Sequence, residues 1–171
     1  MIYNIALTFN KETNTQIYNY YKTIKSNLDI EFDLKPTSIP HITVLKFETS
    51  ENLTQKELTK LTKELNTNDF EINLSGLTFL PSHLKGCWIE ISILKNIQII
   101  ELQTKLINKL NNKYKILNGI NNKFRPHITL AKTKDNKINI INLNQEILRK
   151  KEIKTQIQIG TSDNTFEYLQ L

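Results

Sequence analysis

One heptapeptide recurs in this chain with five of its seven residues unchanged, as Pro40-His41-Ile42-Thr43-Val44-Leu45-Lys46 and as Pro126-His127-Ile128-Thr129-Leu130-Ala131-Lys132. The copies stand 86 positions apart, about half of the 171 residues. Each sits in a β-branched, apolar run, which reads as a strand. Side chains alternate between the faces of a strand, so His-x-Thr sets an imidazole and a hydroxyl on one face, about 7 Å apart. Two such strands side by side would offer two imidazoles and two hydroxyls to one small anion. The chain has only three histidines, and two of them stand at the same place in this repeat.

The flanks of the two copies share one scheme. In the first half, Met1–Phe9 reads as a strand, and Ile17, Tyr20, Tyr21, Ile24 and Leu28 mark an amphipathic helix over Lys11–Leu28. A connection with Pro36 and Pro40 leads to the motif strand, Ile42–Phe47. Leu53, Leu58, Leu61 and Leu65 then predict a second helix, with Thr49-Ser50-Glu51 offering hydroxyls for its cap. Phe70–Leu74 alternates as a strand, and Gly76 and Pro81 punctuate that strand and its loop. In the second half, Cys87–Ile93 alternates, Ile99, Leu102, Leu106, Ile107 and Leu110 define a third helix, and an asparagine-rich turn with Gly119 precedes the motif strand Ile128–Ala131. Strands over Ile153–Ile159 and Thr165–Leu171, joined through Ser162-Asp163-Asn164, close the chain. Each half is a strand, a helix and a strand bearing His-x-Thr. The expectation is one domain over residues 1–171, an α+β pair of pseudo-twofold lobes with the motif strands at their junction.

Composition narrows the function. Hydrophobic content of 39% with 23% charged residues is that of a soluble globular protein, and no run approaches the roughly 18 apolar residues of a membrane span. The apolar start lacks a basic leader, so it reads as a first strand and not a signal peptide. A single cysteine, Cys87, excludes an internal disulfide, and no Cys/His cluster has zinc spacing. The expected protein is cytoplasmic, monomeric and without metal or cofactor. Its net charge of +6 is almost wholly lysine, with Arg125 and Arg149 the only arginines; it suits a polyanionic ligand without demonstrating one, and biased codon usage would also produce it.

The paired motif matches what a phosphodiester needs. A base takes the proton of the attacking hydroxyl or water, an acid protonates the departing oxygen, and donors stabilise the non-bridging oxygens. Histidine titrates near neutrality and fills either proton-transfer role. His41 and His127 on opposite sides of one phosphorus suit in-line displacement, with Thr43 and Thr129 as donors to the equatorial oxygens. A lone His-x-Thr is usually chance. Two copies with a matching proline before and apolar residues after are not.

These residues resemble the 2H phosphoesterases, which include RNA 2′,3′-cyclic phosphodiesterases, also called 2′-5′ RNA ligases. That family is named for two His-x-Thr/Ser motifs, matched here by His41-Ile42-Thr43 and His127-Ile128-Thr129. Ile5–Phe9 followed by a helix, Phe79-Leu80-Pro81 before a Trp-containing strand, and the closing hairpin ending in Tyr168 also resemble it. Lys132 stands where an arginine is common. The resemblance implies a bilobal α+β fold, with antiparallel-rich sheets lining a central cleft and helices outside. It implies metal-free phosphodiesterase chemistry on an RNA end, nucleotide or oligonucleotide: 2′,3′-cyclic phosphate opening, or 2′-5′ bond cleavage or ligation. Relatives also destroy 2′-5′-linked or cyclic oligonucleotide messengers, and a phosphate-holding module without turnover is the other reading.

Further site residues follow from strand parity. Arg125 shares a face with His127 and Thr129, where it grips a second phosphate or a base edge, or else lies in a solvent-facing loop. Phe9, Trp88 and Tyr168 are candidates to stack a base, against the commoner role of strand aromatics in the core. Strict alternation places Lys46 and Lys132 opposite the imidazoles unless the strand bulges, which excludes both from the core site. His83, in a loop without a threonine partner, reads as a bystander. Loops Asp33–Ile39, Leu80–Gly86 and Lys115–Lys123 are expected to set the substrate.

Overall fold

The alternating and helical periods above become, in a computed structural model, β1 (Ile2–Thr8), α1 (Lys11–Lys25), β2 (Ile30–Asp33), β3 (His41–Glu48), α2 (Gln55–Thr62), β4 (Phe70–Ile72), β5 (Leu74–Pro81), β6 (Cys87–Ile93), α3 (Ile97–Leu110), β7 (Lys115–Ile116), β8 (His127–Thr133), β9 (Ile153–Ser162) and β10 (Tyr168–Gln170). The structure describes residues 1–25, 28–63, 65, 70–110, 113–136, 147–149, 153–162 and 168–170. Among these, no helix is long and apolar enough to cross a membrane. Positions 165–167 and 171 of the expected closing strand lie outside the described residues.

Among the described residues every strand pairing is antiparallel, and the neighbours run β10-β9-β1-β3-β8-β6-β5. The two motif strands meet in the middle through a single pair, Ile42 opposite Ile128, both fully buried. Beyond that pair they diverge, and each borrows a short strand from the other half. β2 pairs with β8 through Ile30–Thr133, and β7 pairs with β3 through Ile116–Phe47. These two pairings are related by the same 86-position offset as the histidines, so the duplication is a pseudo-twofold about the Ile42–Ile128 pair. Neither β2 nor β7 was expected from the sequence. Both are too short to show a period, and pairing across the halves is what makes them strands.

The core lies on the faces away from the cleft. Ile5, Leu7, Ile42, Val44, Ile89, Ile91, Ile128 and Leu130 are buried there with the inner faces of the helices. On α1 those are Thr13, Ile17, Tyr20, Tyr21 and Ile24, and on α3 Ile99, Leu102, Gln103, Leu106 and Leu110. Burying each large aliphatic side chain contributes about 1.5–3 kcal/mol. Asn10 and Asn96 cap α1 and α3 by accepting from Thr13 N and Ile99 N. α2 begins at a capping box of Thr54 and Glu57, four residues past the hydroxyls expected to do this at Thr49-Ser50. Gly76, at φ +146°, carries β5 through an irregularity and not to its end, so the strand runs on to Pro81.

Strict alternation fails at one place in each motif strand, and the failure is the same. Opposite β1, the register steps from Leu45 to Thr43, leaving Val44 as an extra residue. Opposite β6 it steps from Ala131 to Thr129, leaving Leu130. The two bulges share one burial pattern, with His, Thr and Lys half-buried and the residues between them buried. A bulge inverts the parity beyond it. Lys46 and Lys132 therefore return to the face of His41 and His127, which corrects the expectation that they point away. The carbonyls displaced from the ladder keep partners. Val44 O accepts from Gln103 Nε2 at 2.9 Å and Asn118 Nδ2 at 3.1 Å, and Leu130 O accepts from Leu34 N at 2.8 Å.

Candidate active site

A cleft of about 560 Å³ opens where β3 and β8 diverge, a size suited to a nucleotide. His41, Thr43, His127, Thr129 and Arg125 all line it. Because the strands run antiparallel through Ile42–Ile128, His41 sits across from Thr129, and Thr43 across from His127. The two imidazoles occupy one diagonal of the rectangle and the hydroxyls the other. The charge of His127 acts on His41 across this cleft, so the two rings share one site.

Both rings are anchored in the same way. His41 Nδ1 lies 2.9 Å from Ile39 O, and His127 Nδ1 lies 2.8 Å from Arg125 O. A carbonyl only accepts, so each Nδ1 carries a proton and each Nε2 is the nitrogen left for the cleft.

The surroundings of the two rings differ. β1 sets Thr8, Ala6 and Asn4 opposite His41, Thr43 and Lys46; β6 sets Ser92, Glu90 and Trp88 opposite His127, Thr129 and Lys132. Around His41, Asn4 Nδ2 donates to Thr43 Oγ1 at 3.0 Å and reaches His41 Nε2 at 3.4 Å. Burial pushes His41 down from 6.5 to about 4; the hydrogen bond to Ile39 opposes this, and the positive charges of His127 and Lys46 add to it. Around His127 stands Glu90, only 3% exposed. Its carboxylate lies 3.3 Å from His127 Nε2 and accepts both terminal nitrogens of Arg125, Nη2 at 3.1 Å and Nη1 closer still.

Arg125 therefore faces the cleft as parity requires, already paired with Glu90. Trp88 lines the cleft too, with Phe32 edge-on at 6.4 Å between centroids and Lys132 Nζ 5.7 Å above its ring. Lys132 is itself held by Glu31 at 2.7 Å. Phe9 does not reach the site. It has the parity of Ile5 and Leu7, the core side of β1, and is buried in the cluster beneath α1. The side chain of Tyr168 lies outside the described residues. His83 is exposed on the β5–β6 turn. Lys46 lines the cleft beside Lys35, Ser38 and Ile39 of the 33–39 loop, with Leu80 and Asn118 from the other two loops.

Asn4 and Glu90 were not singled out from the sequence. The parity of β6 already grouped Glu90 with Trp88, and a carboxylate between isoleucines on the motif side was the available signal. Asn4, one polar residue in an apolar first strand, was a weaker one. Among the described residues no group of three or more His, Cys, Asp or Glu could hold a metal ion.

Comparison with known proteins gives the same outline. A family model described as the 2′-5′ RNA ligase superfamily matches residues 15–158. Among solved structures, E. coli LigT complexed with 3′-AMP is similar over 94% of this chain and 87% of its own, at 14% identity and a TM-score of 0.66. A structure described as a phosphoesterase covers 99% and 94%, at 15% identity and 0.64. E. coli LigT in apo form gives the same coverage and identity at 0.63. At such identities the likeness is one of fold. No match was found among curated proteins.

Proposed function

The chain belongs to the 2′-5′ RNA ligase superfamily, and from that premise we propose that it is a metal-independent phosphodiesterase acting on RNA ends or nucleotides by two-histidine acid–base catalysis. One observation carries the reading: two imidazoles, each fixed through Nδ1 to a backbone carbonyl, line one nucleotide-sized cleft on a diagonal crossed by two threonines.

The favoured reaction is opening of a 2′,3′-cyclic phosphate. Water oxygen bonds to phosphorus while one Nε2 takes its proton. The P–O3′ bond breaks, and O3′ leaves with a proton from the other Nε2, so a 2′-phosphate remains. Positioned proton transfer of this kind contributes about 10²–10⁴-fold. Thr43 accepts from Asn4, which turns its own O–H outward as a donor to a non-bridging oxygen, and Thr129 lines the cleft as a second donor from the other strand. Lys35 and Lys46 favour an anion in the cleft, and Trp88 with Phe32 forms an aromatic wall for a base. That a LigT structure holds 3′-AMP supports a nucleotide as the ligand class.

The test is turnover of nucleoside 2′,3′-cyclic phosphates and a panel of cyclic and 2′-5′-linked oligonucleotides in EDTA. Turnover in EDTA, lost by at least about 100-fold in both H41A and H127A, is expected. Turnover abolished by EDTA, or retained by either variant, overturns the proposal. The panel separates RNA-end chemistry from messenger degradation, and binding without turnover would point to a non-catalytic module.

A further inference from the structure

Two identical motifs related by a pseudo-twofold cannot by themselves say which imidazole is base and which is acid. The residues that break the symmetry can. By register, the counterpart of Glu90 is Ala6, and by the motif offset the counterpart of Arg125 is Ile39. A buried ion pair on one side thus stands where two aliphatic residues stand on the other. We propose that Glu90 is a positioning residue that polarises the cleft: it holds His127 as the charged acid beside Arg125 and leaves His41, with Ala6, Ile39 and Asn4 around it, as the neutral base. This rests on the phosphodiesterase reading above and adds a direction to it.

The geometry supports each half. His127 Nδ1 donates to Arg125 O, and Nε2 faces the Glu90 carboxylate at 3.3 Å. Both contacts want an N–H, and only the charged ring has two. The groups facing His127 are Glu90 from β6, Arg125 from its own approach and His41 from β3. With Arg125 paired to the same carboxylate, the site on this side holds a single net positive charge when His127 is protonated. His127 from β8, Lys46 on its own strand and uncharged Asn4 from β1 all face His41. The Asn4 amide reaches His41 Nε2 with an N–H while Nδ1 is held by Ile39 O, and an acceptor nitrogen at Nε2 is the neutral form.

The step then has a sense. His41 Nε2 takes the proton of the nucleophile as its oxygen bonds to phosphorus. The leaving oxygen departs on the β6–β8 side with the proton of His127 Nε2. Afterwards His41 is charged and His127 neutral, and exchange with solvent resets both. A substrate must therefore bind with its leaving group toward Glu90, Arg125 and Trp88.

The experiment is the pH profile of kcat/KM for the unaltered protein, E90Q and N4D, with NMR of the histidine ring protons in each free protein. E90Q keeps the shape and removes the charge; it should bring the alkaline limb down by about one pH unit and leave the acid limb in place. N4D puts a carboxylate beside His41 and should raise the acid limb by a similar amount. E90Q moving the acid limb, or neither variant moving either limb, overturns the assignment while the phosphodiesterase reading stands. If no substrate turns over, that reading falls, and the ring signals still decide the inference: E90Q must perturb the titration of His127 and spare His41, and the reverse pattern refutes it.

Discussion

Acidification should weaken this fold through His41. Its ring is kept neutral at pH values where the unfolded chain takes up a proton, because burial lowers it from 6.5 to about 4. The sign follows from linkage. Above pH 6.5 neither state binds the proton and nothing is lost. As pH falls below 6.5 the unfolded chain protonates first and gains, so stability declines until about pH 4, where the folded ring protonates too. The whole span corresponds to about 3 kcal/mol. Between pH 7.5 and 5.5, where most carboxylates stay ionised, the linkage integral gives about 1.3 kcal/mol. Urea denaturation followed by far-ultraviolet circular dichroism at those two pH values measures it. The reference is H41N, whose amide replaces the Nδ1–H donor to Ile39 O and does not titrate. The unaltered protein should lose about 1.3 kcal/mol more than H41N over this interval. Parallel losses in the two proteins would refute the claim that His41 is buried as the neutral base.

Two further outcomes are expected. Gly86 sits at φ +81°, and a Cβ there would lie 1.8 Å from Thr133 O at the end of β8; G86A should therefore lower stability by more than about 2 kcal/mol by thermal or urea melting, and a neutral result would contradict the turn. K46M should raise KM for an anionic substrate several-fold more than it lowers kcat and flatten its dependence on salt; an unchanged KM would remove Lys46 from the cleft.

How far the sequence can be read here depends on whether a feature is local. The helices and long strands carry their own periods, so α1, α3, β6 and β8 stand within two or three residues of where spacing puts them. His41, Thr43, His127 and Thr129 were legible because two-residue parity needs no knowledge of neighbours. Parity also grouped Arg125 with His127, and read from the other end of β1 it assigns Phe9 to the core, the role strand aromatics more often have. What escaped was set by pairing. The bulges at Val44 and Leu130 exist because Gln103, Asn118 and Leu34 satisfy the displaced carbonyls, and those partners come from elsewhere in the chain. Without them, alternation wrongly sends Lys46 and Lys132 to the far side. Short β2 and β7 are strands only because the opposite half offers them an edge.

Glu90 escaped for a different reason. Within Cys87–Ile93 it reads as an ordinary outward residue of a half-buried strand, and strands present charges to water all the time. Its outward face turns out to be the wall of a cleft, where it is buried at 3% exposure against Arg125 and His127. An unpaired carboxylate there would be strongly unfavourable, and a paired one contributes little net stability over an aliphatic pair such as Ala6 and Ile39. Folding alone therefore gives no reason for the two sides to differ. The proposed in-line displacement does, because one proton must be taken while another is given. On the proposed mechanism the matching parts of the repeat hold the phosphate and the rings in place, and its mismatched parts, Ala6 against Glu90 and Ile39 against Arg125, give the reaction a direction.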